Sequence, residues 1–207
     1  MKQSLKMENK KVVLIEKSTE LFLTYGIKHV SMDDIANKCG ISKETIYKFF
    51  ENKNDLLLQI ITIKIKKLKQ ILKIYPKKHS NSVKVLYTFF EDIKLIMYKI
   101  SPILFIEIKK HYPNIFIEIL KIKTYTLLPF ISENIKQGKE EKLYKNNLKA
   151  TDLCKSYDTM FNMIFMNYYN NSKSEQQTSI SFLNNLFLHR LVSTKGLEEL
   201  NKLYHKN

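Results

Sequence analysis

Many side chains between Ser31 and Lys53 can bind anions or form hydrogen bonds with a polar partner. Their hydroxyl, ammonium and carboxylate groups belong to Ser31, Ser42, Lys43, Glu44, Thr45, Tyr47, Lys48 and Lys53. Ammonium groups donate hydrogen bonds, ionised carboxylates accept them, and hydroxyl groups do both. These groups can bind one partner together only if the secondary structure places them on the same face of the protein.

Two short helices are predicted to position these groups. Ser31 and Asp34 form a capping box, in which each side chain bonds a free backbone N–H group of the first turn. Apolar residues recur at helical spacing up to Gly40, which can take the positive φ at which a helix ends. Ser42 is a second N-cap, and the helix over residues 43–50 buries its apolar face. Its outward face carries Lys43, Glu44, Thr45, Tyr47 and Lys48.

The spacing of these helices is more specific than that of a general helical hairpin. Ala36 is small, Gly40 follows four residues later and the apolar Ile46 six residues after that, so the helices can approach closely at a steep angle. This resembles the helix-turn-helix of DNA-binding proteins, whose second helix enters the major groove. The sequence Tyr47-Lys48-Phe49-Phe50, with Lys53 and Asp55-Leu56-Leu57, resembles the tail of this motif in the tetracycline-repressor (TetR) family. A hairpin that serves packing alone is the alternative interpretation.

The resemblance implies roles for the polar residues. In a dimer, two recognition helices would lie roughly 34–36 Å apart on a palindromic operator. Tyr47 and Lys53 would bind phosphates with help from Lys48, and Ser31 and Ser42 would bring helix N-termini and hydroxyl groups near the DNA backbone.

The base-reading positions would be Lys43 and Thr45. Lysine suits guanine O6 and N7, and the threonine methyl suits a thymine methyl. Glu44 departs from the family, which usually has a small residue there. It would either accept a hydrogen bond from cytosine N4 or pair with Lys48 one turn later.

Composition predicts an all-α fold. Among 207 residues there are only four glycines and four prolines, and 44% of the residues are hydrophobic. We expect a three-helix helix-turn-helix head over 1–54, a connecting helix over 55–75, and a helical ligand-binding and dimerisation body over 76–207. The formal net charge of +15 favours a polyanionic partner, although heavy use of lysine beside a single arginine also reflects genomic base composition.

Apolar periodicity and punctuation residues predict the remaining helices. These cover residues 10–25, roughly 53–75, 83–100, 102–111, 113–138, 151–169 and 175–192, with a short last helix ending near Tyr204. A kink is expected at Pro129, and Ser174 is expected to cap the helix that follows it. The polar stretch 138–147 is predicted to be an exposed connection.

The body is where the TetR resemblance implies an effector pocket and a dimer interface. Candidate pocket residues, which would suit a lipophilic effector, are Phe90, Phe105, His111, Tyr112, Phe116, Tyr125, Tyr157 and Phe161. The last two long helices have apolar faces wider than one neighbour can cover, which suggests a four-helix bundle with a second subunit. Candidate interface residues are Phe165, Tyr168, Leu183, Leu186, Phe187 and Arg190. Ordinary core packing is the alternative for both sets.

Other function classes find little support. The five histidines show no metal-ligand spacing, no Gly-rich phosphate loop occurs, and Cys39 and Cys154 form no disulfide framework. We therefore expect no enzyme activity, no metal and no cofactor. Short, interrupted apolar runs predict a cytoplasmic protein without a membrane span.

The sequence thus predicts a ligand-responsive transcriptional repressor that binds double-stranded operator DNA as a homodimer and is released by a small hydrophobic effector. One alternative is a TetR-like DNA-binding protein without a small-molecule inducer. Another is a peripheral membrane protein that uses the basic amphipathic helix over residues 56–75.

Overall fold

The computed structural model describes residues 2–100, 102–166 and 173–205. In these ranges the chain is helical and contains no β-strand, apart from an isolated antiparallel bridge between Tyr144 and Val192. The prediction of an all-α fold is confirmed. The helices are α1 (Lys2–Tyr25), α2 (Met32–Cys39), α3 (Lys43–Tyr47), α4 (Lys53–Lys78), α5 (Ser82–Lys99), α6 (Pro102–His111), α7 (Pro113–Ile122), α8 (Leu128–Glu140), α9 (Ala150–Met166), α10 (Lys173–Leu191) and α11 (Thr194–Tyr204), and a π-helical segment covers Lys123–Leu127.

The chain divides into two compact units. The first unit contains Met1–Lys67 and Lys99–Leu120, and the second unit contains Leu68–Tyr98 and Lys121–Asn207. Residues 99–120, which the sequence analysis assigned to the body, therefore cluster with the helix-turn-helix. The functional boundaries 1–54, 55–75 and 76–207 stay a prediction, because compactness alone does not define function.

The core of the first unit joins the three N-terminal helices to the start of α4. Its most deeply buried members are Leu14, Phe22, Ile27, Ile35, Ile46, Phe50 and Leu56. Leu104, Ile108 and Ile115 belong to the same apolar cluster and bring α6 and α7 into it. Two helices as short as α2 and α3 gain their stability from such packing, because they are too short to form alone.

The core of the second unit includes part of the stretch 138–147, and at these positions the prediction of an exposed connection is wrong. Glu140, Lys142, Asn146 and Asn147 are exposed as predicted. Leu143 and Tyr144 are buried. The N–H of Lys145 donates to the carbonyl of Leu191 at 2.9 Å, and the N–H of Ser193 donates to the carbonyl of Leu143 at 2.8 Å. These bonds satisfy backbone groups that burial would otherwise leave unpaired.

Several helix ends also differ from the predictions. The first helix begins at Lys2 rather than near residue 10, and α4 continues through Pro76. Ser174 lies inside α10 and does not precede it, so its predicted N-cap role is wrong. The π-helical segment precedes Pro129, which occupies the first turn of α8. Because proline lacks an N–H group, a widened turn at this point lets the helical path continue.

Candidate nucleic-acid interface

The helix α2 begins with the predicted capping box. The Ser31 N–H donates to Asp34 Oδ2 at 2.8 Å, and the Asp34 N–H donates to Ser31 Oγ at 3.1 Å. The Ser31 hydroxyl also donates to Asp34 Oδ2, at 2.6 Å, and this hydrogen bond together with that from the Ser31 N–H lowers the pKa of the Asp34 carboxyl. At the other end, Gly40 takes φ +67° and its N–H donates to carbonyls of the last turn. The predicted first helix and turn are confirmed in these details.

The helix α3 begins at Lys43, with Ser42 as its N-cap, and ends at Tyr47, three residues earlier than predicted. The Thr45 N–H donates to Ser42 Oγ at 3.3 Å, and the two hydroxyl oxygens lie 2.9 Å apart. Thr45 is half-buried, and its hydroxyl group forms a hydrogen bond with the hydroxyl of Ser42. Ile46 is fully buried, whereas 46% of Tyr47 is exposed. Lys43, Glu44 and Lys48 are exposed as well.

Lys43 forms an ion pair that sequence reasoning missed. Its ammonium lies 2.8 Å from Asp33 Oδ2, and the hydrogen bond and charge of that carboxylate raise the pKa of Lys43. Both side chains are largely exposed, at 47% and 63%. Asp33 precedes Lys43 by ten residues and lies on a different helix, so no helical spacing relates the two. The sequence analysis offered Lys48 as one possible partner of Glu44. Among the described side chains, no ion pair joins these two residues.

Lys53 points toward the start of α2. Its ammonium donates to the carbonyl of Val30, the residue before the cap. Burial lowers the pKa of Lys53, and the charges of Glu107 and Asp34 oppose that effect. A predicted phosphate-binding lysine is thus half-buried and has its own backbone partner in the free protein.

Glu107 is the second contact in the first unit that sequence reasoning missed. Its side chain is only 6% exposed, and the N–H group of Lys28 donates to both carboxylate oxygens, at 3.1 and 3.2 Å. The N–H of Ile27 donates to Oε2 as well. These partners lie 79 and 80 positions earlier in the chain, so no local pattern signals them.

The predicted pocket residues do not form one group. Phe90, Tyr157 and Phe161 come together in the second unit: Tyr157 stacks on Phe90 at 5.4 Å and on Phe161 at 6.0 Å between ring centroids. Tyr112 and Phe116 pack against the core of the first unit instead. The side chains of His111 and Tyr125 are exposed, and the Phe105 side chain lies outside those that the structure describes.

A polar pair is buried beside these aromatic rings. The Tyr157 hydroxyl donates to Asn184 Oδ1 at 2.8 Å, and burial raises the pKa of Tyr157. Asn184 is 3% exposed and its Nδ2 has no partner among the described groups. A ligand with an acceptor atom could satisfy this donor.

The predicted interface residues divide between core and surface. Leu183 and Phe187 are buried in the core of the second unit, whereas Leu186 and Arg190 are exposed. The Phe165 side chain and all of Tyr168 lie outside the described residues. An open groove of about 450 Å³ lies between α9 and α10 and is lined by Met160, Met163, Ile164, Thr178, Ser179, Phe182, Leu183 and Leu186.

Comparisons with known proteins identify the N-terminal part of the chain. Residues 14–60 match the family described as "Bacterial regulatory proteins, tetR family". The chain is 37% identical over 62 residues to an uncharacterized HTH-type transcriptional regulator, YhgD, of Bacillus subtilis (strain 168). The helix-turn-helix region of this chain is a TetR-family domain. The match with YhgD spans 30% of this chain and 32% of that relative.

Solved structures of transcriptional regulators also share the fold over nearly the whole chain. A TetR-family regulator from Agrobacterium tumefaciens is similar with a TM-score of 0.72 and 13% identity, covering 90% of this chain and 100% of that one. A transcriptional regulator from Cytophaga hutchinsonii is similar with a TM-score of 0.70 and 13% identity, covering 91% and 99%. At these identities the likeness shows the fold alone.

Residues 14–60 thus match a family of DNA-binding regulators, which agrees with the predicted helix-turn-helix. Among the described residues, no group of histidine, cysteine and acidic side chains could hold a metal ion. None of the described helices is both long and apolar enough to cross a membrane.

Proposed function

We propose that this TetR-family regulator is a homodimeric repressor that binds a palindromic DNA operator and is released by a small lipophilic molecule. The open face of α3 supports this most directly. Lys43, Glu44, Tyr47 and Lys48 are exposed on it, while Ile46 anchors the helix in the core. A polar helix face on a rigid helical support suits insertion into the major groove.

The contacts with DNA divide into two classes. Tyr47, Lys48 and Lys53 bind phosphates, while Ser31 and Ser42 present hydroxyl groups at the starts of α2 and α3. Lys43 and Thr45 read base edges, and Glu44 accepts from cytosine N4, since it is not paired with Lys48.

Lys43 must leave Asp33 to reach a base. An exposed ion pair contributes only about 0–1 kcal/mol, so this exchange costs little. Replacing the carboxylate by Asp33→Asn frees the ammonium and removes a negative charge near the DNA. We expect this variant to bind DNA more tightly than the wild type, in gel-shift titrations at constant ionic strength.

Gel-shift titrations with alanine variants test the contact assignments. The probes are a duplex taken from genomic fragments that the wild-type protein retains, and a scrambled duplex of the same composition. Tyr47→Ala should weaken binding to both, whereas Lys43→Ala and Thr45→Ala should weaken only the specific complex, by about 1–3 kcal/mol per lost base contact. Lys195→Ala, which removes an exposed lysine of α11, is the control. Unchanged affinity in all three test variants would contradict the assignment.

The dimer interface is proposed on the groove between α9 and α10. Met160, Met163, Phe182 and Leu186 are 43%, 60%, 68% and 49% exposed there. Contiguous exposed apolar surface of this kind marks an interaction site. A twofold-related copy placed on it would bury both faces and form a four-helix bundle, the arrangement that the family resemblance implies.

Sedimentation velocity tests this interface. Phe182→Glu places a charge in the groove and should convert the protein to monomers at micromolar concentration. Ile74→Glu places the same charge on a side chain of α4 that is 54% exposed and serves as the control. A Phe182→Glu protein that sediments as a dimer would exclude this surface.

The effector is proposed to occupy the aromatic cluster of the second unit, with its acceptor group on Asn184 Nδ2. Phe90, Tyr157, Phe161 and Phe187 suit a lipophilic chain, and the unpaired amide donor suits a carbonyl or carboxylate. One neighbour of similar fold, at 15% identity and a TM-score of 0.61 with 86% of this chain and 94% of that chain covered, is described as the fatty acid degradation regulator FadR of Bacillus halodurans. Long-chain fatty acids are therefore the first probes. We expect them to raise the melting temperature and to release the specific duplex, and to do neither in Asn184→Leu.

Tight packing favours a second candidate, a TetR-family regulator without a small-molecule effector. The rings of Phe90 and Tyr157 are 5.4 Å apart and those of Tyr157 and Phe187 4.9 Å, so a ligand would have to displace side chains. Fatty acids that leave both melting temperature and DNA binding unchanged would support this candidate.

Anionic phosphatidylglycerol vesicles are the second arm of the experiment, since vesicle binding without duplex binding would indicate a membrane-surface role for the basic helix α4.

A further inference from the structure

The buried carboxylate of Glu107 holds backbone in the first unit. The N–H groups of Ile27 and Lys28 both donate to it, and only 6% of its side chain is exposed. We call this set of hydrogen bonds the Glu107 clasp. Hydrogen bonds to an ionised carboxylate are stronger than neutral ones, and breaking them would leave a charge buried without partners. The clasp therefore fixes the backbone of residues 27 and 28 relative to α6.

The clasped residues begin the short connector between α1 and α2. Gly26 turns the chain with φ +81°, and the Val30 N–H donates back to the carbonyl of Ile27 at 3.3 Å. Ile27 and Val30 are 0% and 2% exposed, so the connector is also anchored by its apolar side chains. Because the four residues 27–30 are held at both ends, a displacement of Ile27 would also displace Val30.

The far end of the connector carries groups that the proposed function uses. The carbonyl of Val30 accepts the ammonium of Lys53, and the next residue, Ser31, caps α2. The charge of Glu107 also opposes the effect of burial on the pKa of Lys53. Contacts thus run without interruption from Glu107 through the connector to Lys53 and Ser31.

We propose that Glu107 is a positioning residue for DNA binding, which acts through the connector on Lys53 and the start of α2. This inference depends on the proposed function, because it assumes that Lys53 and Ser31 meet DNA. Without the clasp, the connector samples other positions and a smaller fraction of molecules presents the binding geometry. The apparent affinity falls in proportion to that fraction.

The test compares Glu107→Gln with the wild type in two measurements. Glutamine has the same shape but loses the charge, and it can accept with one oxygen only. In ¹H–¹⁵N spectra the amide protons of Ile27 and Lys28 should move upfield. Affinity for the genomic duplex that the wild type retains should fall on the order of tenfold, as expected for weakening a charged hydrogen bond. Glu133→Gln, the same change at an exposed position of α8, should alter neither measurement.

Each combination of results decides the inference. Shifted amides with unchanged affinity would show that the clasp forms but does not position the DNA-binding groups, and unshifted amides would show that there is no clasp. If the wild type itself binds no duplex, the proposed function fails, whereas the amide shifts still report on the clasp. Glu107→Asp keeps the charge and should give a smaller loss of affinity, and an equal or larger loss would overturn the proposal even where Glu107→Gln folds poorly.

Discussion

The helix caps of the first unit and the core of the second unit use polar side chains in different ways. In the first unit, the groups that begin α2 and α3 are exposed and lie next to their partners in the chain, as in Ser31 with Asp34. In the second unit, the carbonyl of Ser82 accepts from the Tyr144 hydroxyl at 2.9 Å and from Asn134 Nδ2 at 3.0 Å, and all three residues are buried. We call Ser82, Asn134 and Tyr144 the buried polar cluster.

This difference has consequences for stability. An exposed cap can lose a hydrogen bond to water with little further effect, because water replaces the missing partner. A buried group that loses its partner remains desolvated, so its removal costs more. Substitutions in the second unit should therefore destabilise the protein more than matched substitutions at the caps of the first unit.

The largest effect is expected from Gly196→Ala in the second unit. A Cβ atom at this position would lie 2.0 Å from the backbone carbonyl oxygen of Leu143, and a backbone atom cannot move aside as a side chain can. Overpacking of this kind costs about 1–3 kcal/mol, and here we expect the upper end of that range. Thermal unfolding measures the loss. Lys195→Ala, at the exposed neighbouring position, should leave the melting temperature unchanged, and a stable Gly196→Ala protein would disprove the close approach.

The distance along the chain between hydrogen-bond partners explains what the sequence could predict. The caps at Ser31 and Ser42 join residues three positions apart, so spacing alone located them and the two recognition elements. The helix-turn-helix resemblance then pointed to the family, while composition predicted the all-α fold.

Long-range contacts were beyond the reach of such patterns. Tyr144 reaches a carbonyl 62 positions away, and Glu107 reaches N–H groups 79 and 80 positions away. A polar stretch such as 138–147 looks exposed unless one knows that Tyr144 pairs with Val192, 48 positions later. Likewise, aromatic residues were grouped into one pocket because of their type, although Tyr112 and Phe116 belong to the core of the first unit.

A smaller loss is expected from Tyr144→Phe in the buried polar cluster. The ring remains in place, but the hydroxyl that lies between the Ser82 carbonyl and Asn134 Oδ1 is removed. Asn134 Nδ2 still donates to the carbonyl, so the expected cost is about 1–2 kcal/mol. Urea unfolding of this variant should be compared with that of Tyr125→Phe, whose side chain is 75% exposed and should contribute nothing measurable. Equal stabilities for the two variants would remove the contrast between the units.

A cap substitution in the first unit should cost less again. Ser31→Ala removes the hydroxyl that accepts from the Asp34 N–H, and loss of such a cap typically costs about 1 kcal/mol. Hydrogen exchange read peptide by peptide should show faster exchange in α2, with the peptides of α10 unaffected. Ser132→Ala, which changes a half-buried serine of α8, is the matched control. Faster exchange spread over both units would mean that this cap supports more than its own helix.

The smallest effect is a dependence on pH at the same cap. Hydrogen bonds from Ser31 lower the pKa of Asp34 in the folded state, so folding favours the ionised carboxylate. The stabilisation is present in full above the ordinary pKa of the group and is lost as the pH falls through the lowered folded-state value. Asp34→Asn should therefore be less stable than the wild type at pH 6, and the difference should shrink steadily as the pH falls below the ordinary aspartate range. Melting temperatures of the two proteins at matched pH provide the comparison, and a gap that stays constant with pH would show that the carboxylate charge has no part in the cap.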